Sequence, residues 1–158
     1  KNLKKLKLIN SIEKFVSSNK PLMGICLGMQ LLFDKSEEHG VQSGLGIVSG
    51  DVVEIPKQKD STYIRKIPHI GWSSIKPPTN YLEWSGSYLN QTQEDEFFYF
   101  VHSFIAVPKN DSDVLAECNY DGISFAAAIQ HENVTGFQFH PEKSGEAGLK
   151  LLKCFMEK

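Results

Sequence analysis

The sequence predicts an α/β protein built around a strand–turn–helix elbow, with a strand-rich second half and a closing helix. Three observations carry this. The stretch Pro21–Phe33 joins a short apolar run (Leu22, Met23, Ile25) to a helix-forming run (Met29–Phe33), with Cys26 at the junction. From Gly44 onward the apolar period changes from helical to strand-like. Residues Gly145–Met156 return to an amphipathic helical pattern.

At 158 residues, the chain is sized for one domain with an adequate core. Its hydrophobic (41%) and charged (23%) fractions are those of a globular protein. A formal net charge of -2 gives no reason to expect nucleic acid or an anionic membrane as partner. No apolar run reaches membrane-spanning length. The basic start, Lys1–Lys5, leads into polar-studded amphipathic sequence rather than the apolar core of a signal peptide. The three cysteines (Cys26, Cys118, Cys154) are odd in number and lack paired spacing, which points to free thiols and a cytoplasmic protein. The histidines do not fall at metal-ligand spacing, so no metal or other cofactor is expected.

Taken in order, Leu3, Leu6, Ile9, Ile12 and Val16 share a face and predict one helix over residues 3–16. The elbow strand and its helix follow. The charge run Asp34–Gly40 reads as a solvated helix end. Ile47–Ile55 reads as strand with a Gly50-Asp51 turn or bulge inside it, and Ile67–Ile75 as another short strand. Lys76–Glu96 is poorly patterned and expected to be mostly loop. Phe97–Val107 reads as one buried strand, and Val114–Tyr120 as a half-buried one. Ser124–Gln130 and Val134–Phe139 flank His131-Glu132-Asn133 as a hairpin. Ser144 is the expected N-cap of the last helix.

The chemistry centres on Cys26. Gly24 and Gly28 bracket it as in a nucleophile elbow with Cys in place of Ser. One glycine would bend the turn and the other would let a substrate approach. The helix that follows presents its N-terminal N–H groups to the sulfur, an arrangement expected to favour the thiolate. The alternative is a small buried hydrophobe ending a core strand. More than a hundred residues later, Gly136-Phe-Gln-Phe-His-Pro-Glu-Lys-Ser144 ends a strand in His140, with Glu142 just beyond a proline. A cysteine nucleophile needs a base, and the base needs a group that orients it. His140 and Glu142 supply both, although alone the motif also reads as a surface turn. His102, between Val101 and Ser103 on an apolar strand, reads as a satisfied core residue. Tyr63, Arg65 and His69 receive no role.

Together, Gly24-Ile-Cys-Leu-Gly-Met-Gln30 and Phe137-Gln-Phe-His-Pro-Glu-Lys-Ser144 resemble the signatures of class I (triad) glutamine amidotransferases. Gly44-Leu-Gly46, Ile67-Pro-His-Ile-Gly-Trp72 and Tyr99-Phe-Val-His-Ser-Phe104 are similar to the glutaminase subunits of imidazole glycerol phosphate synthases. The resemblance implies a single amidotransferase domain over 1–158. Its fold would be a flavodoxin-like open sheet with helices on both faces plus a smaller antiparallel sheet. It implies a glutaminase in which Cys26 attacks glutamine, His140 acts as base and then acid, and Glu142 orients it. The N–H of Leu27 would be an oxyanion donor, and Gly28, Gln30, Ser103 and Phe104 would hold the glutamine. The partner implied is a (β/α)8-barrel cyclase subunit, joined as a heterodimer that receives the ammonia in histidine biosynthesis. Trp72 and Lys143 would lie at that interface.

The chain also departs from the family's pattern. No Pro-Gly-x-Gly of an oxyanion strand occurs, and Lys1 falls after the position of that loop, so the N-terminal βα units are expected to be missing. Ser73 stands where the resemblance implies Asn. Ser73 and the divergent Tyr81–Ser87 segment leave room for a paralogue feeding ammonia to a sugar-modifying amidotransferase of surface-polysaccharide biosynthesis. A second alternative is an inactive binding module that retains the amidotransferase surface. A hydrolase of another amide or γ-glutamyl substrate is a further one.

Overall fold

The computed structural model describes residues 2–57, 63–78 and 84–157. The first helical stretch is two pieces, α1 (Asn2–Lys5) and α2 (Ile9–Ser17), rather than one helix. The break has a capping cause. Lys7 adopts φ 56, while Leu8 N–H donates to Leu3 O (3.0 Å) and Lys7 N–H to Lys4 O (3.1 Å). These paired bonds close α1 as a Schellman motif, and the chain restarts one turn later.

Strand β1 (Leu22–Ile25) enters the elbow, and α3 (Leu27–Gln30) leaves it as a single short turn of helix. The expected continuation to Phe33 does not form, because Asp34 is clipped to a strand. Its N–H donates to Gly50 O (3.0 Å), and its Oδ2 accepts from Gly50 N–H (2.9 Å). The charge run after it is therefore no helix end. It forms β2 (Lys35–Ser36) and returns as β3 (Gln42–Ser43). Ile47–Ile55 gives one strand, β4 (Gly50–Glu54), with Gly50 at its start rather than in an internal turn. Strand β5 (His69–Ser74) matches the expected position.

Phe97–Val107 divides into β6 (Phe97–His102) and β7 (Phe104–Pro108). The two halves belong to different sheets, since β6 pairs with β5 and β7 with β4, and Ser103 is the corner between them. The remainder follows expectation: β8 (Val114–Tyr120), β9 (Ile123–His131), β10 (Val134–Phe137) and α4 (Gly145–Met156). The β9–β10 turn carries Glu132 at φ 50.

The strands order as β1-β10-β9-β8 in one sheet and β3-β2-β4-β7 in a second, with β5-β6 a two-stranded ribbon. In the first sheet β1 and β10 run parallel and the other pairs antiparallel. Residues 84–96 form neither strand nor helix, as expected, yet they are not a surface loop. Trp84, Tyr88 and Leu89 are buried in the main core, and Trp84 Nε1 donates to Leu115 O at 2.8 Å. Residues 79–83, and with them the start of the divergent Tyr81–Ser87 segment, lie outside the described residues. Phe98, Phe100 and Phe137 each pack against Phe139 in that core, at tilted or edge-to-face angles. Arg65 is a buried clamp, donating to the carbonyls of Pro56 and Asp121.

Candidate active site

Cys26 lies where β1 ends. Its backbone N–H donates to Phe137 O at 2.7 Å, which ties it to the end of the adjacent parallel strand β10. The sharp turn is made by Cys26 itself, at φ 50 and ψ −108, a conformation that non-glycine residues adopt at a cost of order 1–3 kcal/mol. The flanking glycines have other tasks. A Cβ on Gly24 would stand 2.8 Å from the Gly28 carbonyl and the Met29 nitrogen, so Gly24 lets α3 lie directly on β1. A Cβ on Gly28 would meet nothing within 4 Å, which leaves open space above the elbow.

The thiol is held on three sides. Its S–H donates to Val101 O (3.9 Å), and Gln138 Nε2 donates to the sulfur (3.8 Å). The Leu27 N–H also reaches the sulfur and lowers its proton affinity. Burial outweighs that donor, and Glu142 and Glu38 add to the rise, while Lys143 opposes it. The Cys26 pKa is therefore raised, and the resting group is a thiol. This corrects the sequence expectation of a thiolate. A helix as short as α3 offers little dipole against the desolvation of a half-buried sulfur.

His140 follows β10 on the same edge. Its N–H donates to Tyr99 O (2.8 Å), and its carbonyl accepts from Ser144 Oγ (2.7 Å). Ser144 Oγ in turn accepts from Tyr99 N–H (3.0 Å), so Ser144 fastens the site to β6 and makes no side-chain cap on α4. Pro141 starts a 3-10 turn, Pro141–Lys143, that folds Glu142 back to His140, with Nδ1 2.7 Å from Oε1. A carboxylate accepts only, so Nδ1 carries the hydrogen of this bond and Nε2 is turned away from Glu142. His140 Nε2 is buried and without a hydrogen-bond partner.

The other expected residues fall around this edge. Gln30 is buried, and its Nε2 donates to Phe104 O (3.1 Å) and to Gln138 Oε1 (3.1 Å). Ser103 O accepts from Ile55 N–H (2.9 Å) at the corner between β6 and β7. Trp72 is exposed on the outer face of the ribbon, edge-to-face with Tyr99 at 6.1 Å, and Lys143 is exposed beside Glu142.

Sequence reasoning missed Gln138 and the pairing of His69 with His102, whereas His102 is the satisfied core residue it was expected to be. His69 and His102 are both buried, with Nδ1 of His69 3.0 Å from Nε2 of His102. His69 Nε2 lies 2.9 Å from Ser73 Oγ, and His102 Nδ1 lies 2.9 Å from Phe104 O. Burial holds the pKa of each down to about 4, so both are neutral at physiological pH. The signal was a polar residue at an inward position of an apolar strand, because a buried polar group needs partners.

A cysteine on a strained elbow, a histidine bonded to a carboxylate and an open approach are the parts that acyl transfer of the cysteine–histidine–carboxylate type requires. The sequence matches the family Glutamine amidotransferase class-I over residues 4–158, and the chain belongs to that family of enzymes. Within it, the chain is 43% identical over 157 residues to imidazole glycerol phosphate synthase subunit HisH 1 of Legionella pneumophila, spanning 99% of this chain and 74% of the relative. It is 44% identical over 158 residues to subunit HisH of Aquifex aeolicus, spanning 100% of this chain and 70% of that one. Among solved structures, PurLQS from Thermotoga maritima superposes with a TM-score of 0.65 at 22% identity, over 96% of this chain and 68% of that one. A glutamine amidotransferase from the same organism gives 0.57 at 13%, over 94% and 52%. At these identities the two structures speak for the shared fold, and the HisH relatives for the family.

Proposed function

We propose that this chain is the glutaminase subunit of an imidazole glycerol phosphate synthase. It hydrolyses glutamine to glutamate and ammonia, and the ammonia passes to a (β/α)8 cyclase subunit that makes imidazole glycerol phosphate and AICAR in histidine biosynthesis. The observation that supports the reading is that Cys26 directly follows β1 and His140 lies just beyond the adjacent parallel strand β10, the two strand ends being joined by Cys26 N–H and Phe137 O at 2.7 Å.

The thiol proton leaves Val101 O for His140 Nε2, and the sulfur attacks the side-chain amide carbon of glutamine. The oxygen that becomes negative faces the N–H of Leu27 at the elbow. His140, held in one tautomer by Glu142, returns the proton to the departing nitrogen, which leaves as ammonia. Water, activated by the same imidazole, then cleaves the γ-glutamyl thioester. The space over Gly28 receives the glutamine side chain, while Gln30 and the Ser103–Phe104 corner form the wall. Glu38, whose charge reaches Cys26, suits the α-ammonium of the same substrate.

The partner face is the outer side of the β5–β6 ribbon. Register pairs Ile70 with Val101 and Trp72 with Tyr99, and Phe97 extends the row. Ile70, Trp72 and Phe97 are each more than half exposed. An apolar row of this kind, rimmed by Lys143, suits a heterodimer with the barrel subunit. A cytoplasmic location accords with the free cysteines, and among the described residues no helix is long and apolar enough to cross a membrane.

The test replaces Cys26 by Ala and measures synthesis by the complex with glutamine or with ammonium salt. Glutamine-dependent synthesis disappears and ammonium-dependent synthesis survives. Equal loss with both nitrogen sources sinks the reading.

A further inference from the structure

We propose that a hydrogen-bonded chain running from Ser73 through His69, His102, the Phe104 carbonyl, Gln30 and Gln138 fixes the position and reactivity of the Cys26 sulfur. Gln138, His102 and Ser73 thereby act as positioning residues. The inference rests on Cys26 being the nucleophile.

The polarity of the chain follows from its fixed acceptor. Phe104 O accepts only, so His102 Nδ1 carries a hydrogen and donates to it (2.9 Å). A neutral His102 then accepts at Nε2, which makes His69 Nδ1 the donor of the 3.0 Å bond between them. His69 in turn accepts at Nε2 from Ser73 Oγ–H (2.9 Å). From the other side, Gln30 Nε2 donates both to Phe104 O (3.1 Å) and to Gln138 Oε1 (3.1 Å). That orients the Gln138 amide so that Nε2 donates to Cys26 Sγ (3.8 Å). Each link is consistent with its neighbours in a single arrangement of hydrogens.

Donors converge on Phe104 O from both sides, and two links are amides. The chain therefore cannot hand a proton along, and its role is orientation. Gln138 is 0% exposed, His69 1% and His102 6%, so none can turn to water for another partner. Releasing the Ser73 end frees His69 to take its other tautomer. His102 then loses its donor, and the Phe104 carbonyl and Gln30 shift with it. The sulfur senses the change through Gln138.

The experiment follows carboxamidomethylation of Cys26 by iodoacetamide against pH in the full chain. Mass spectrometry of the Cys26 peptide separates it from Cys118 and Cys154. It needs no glutaminase turnover, so its outcome and that of the proposed function are read separately. The charges of Glu142, Lys143 and Glu38 that face the sulfur are unchanged in the variants. Gln138→Leu slows alkylation at neutral pH about tenfold and moves its midpoint upward, the effect of losing one hydrogen bond to the thiolate. Ser73→Ala moves both in the same direction by less, and Ser73→Asn, which retains a donor, restores them. In Ser73→Ala/Gln138→Leu, the Ser73 effect vanishes.

A Gln138→Leu profile that superimposes on wild type overturns the proposal. A Ser73 effect of full size in the Gln138→Leu background also overturns it. If Gln138→Leu does not fold, nitrogen-15 shifts of wild-type imidazoles decide. His102 must be protonated at Nδ1 and bare at Nε2, and His69 must show the same state. The opposite tautomer in either ring overturns the chain.

Discussion

At Cys26 burial wins over the Leu27 donor, with Glu142 and Glu38 pushing the same way as burial and Lys143 against it. In the proposed mechanism a resting thiol puts the demand for proton removal on His140, and hence on Glu142. Glu142→Gln should lower kcat for glutamine hydrolysis in the complex roughly 10²–10⁴-fold, the usual span of general acid–base catalysis. Ammonium-driven synthesis should stay intact. The buried histidines make a second prediction. Their folded pKa values are lowered to about 4, whereas the unfolded chain protonates near its ordinary 6.5. The unfolded state thus binds more protons between those values, so stability is lost as pH falls from about 6.5 toward 4. Thermal denaturation should show that decline, and His69→Gln/His102→Gln should flatten it. An unchanged pH slope in the double variant would contradict it.

Elements that the sequence marked clearly were those whose pattern is local. The elbow, the hairpin before His140 and α4 repeat their period within a few residues, and each stands where its residues put it. The failures involved decisions made at a distance. Phe97–Val107 is uniformly apolar, so nothing local shows that Ser103 turns the chain from one sheet into another. Asp34 ends α3 by bonding Gly50, sixteen residues away. Gln138 is buried like every residue from 134 to 139, and its role becomes visible only when Gln30 and Cys26 are beside it. Two substitutions test the elements. Gly24→Ala drives a Cβ into α3 and should cost about 1–3 kcal/mol of stability. It should also shift Cys26, seen as slower labelling by a diazo-ketone glutamine analogue. Trp84→Ala should cost about 3–5 kcal/mol in denaturant unfolding, because its ring lies in the core and its N–H is spent on Leu115 O. A loss below about 1 kcal/mol would mean that residues 84–96 are the surface loop their composition suggests.

Across the whole molecule, the exposed row Ile70, Trp72 and Phe97 lies on one side of the ribbon, and the thiol's acceptor Val101 O belongs to the same ribbon. Trp72→Ala should weaken assembly with the barrel subunit by roughly 2 kcal/mol or more, measured by titration calorimetry, as for a central aromatic anchor. Unchanged affinity would move the interface elsewhere. Glutamate production should be low for the chain alone and rise strongly when the barrel subunit is present together with its substrate analogue. High turnover without a partner would point instead to a free-standing amidase.

The corner at Ser103 makes the ribbon a lever. Its fulcrum is anchored by the bond from Ile55 N–H to Ser103 O. The far arm carries Trp72, and the near arm ends two residues from the fulcrum in the carbonyl that holds the thiol hydrogen. A load on the aromatic face should tip that carbonyl through a small arc and loosen its grip on the sulfur's hydrogen, freeing it for the proposed base His140. The S–H stretch reports the grip directly, in a spectral window where proteins are otherwise transparent. The band should move to higher frequency when the ribbon is loaded. A stationary band would mean that the fulcrum is rigid and the latch on the thiol is released by the substrate alone.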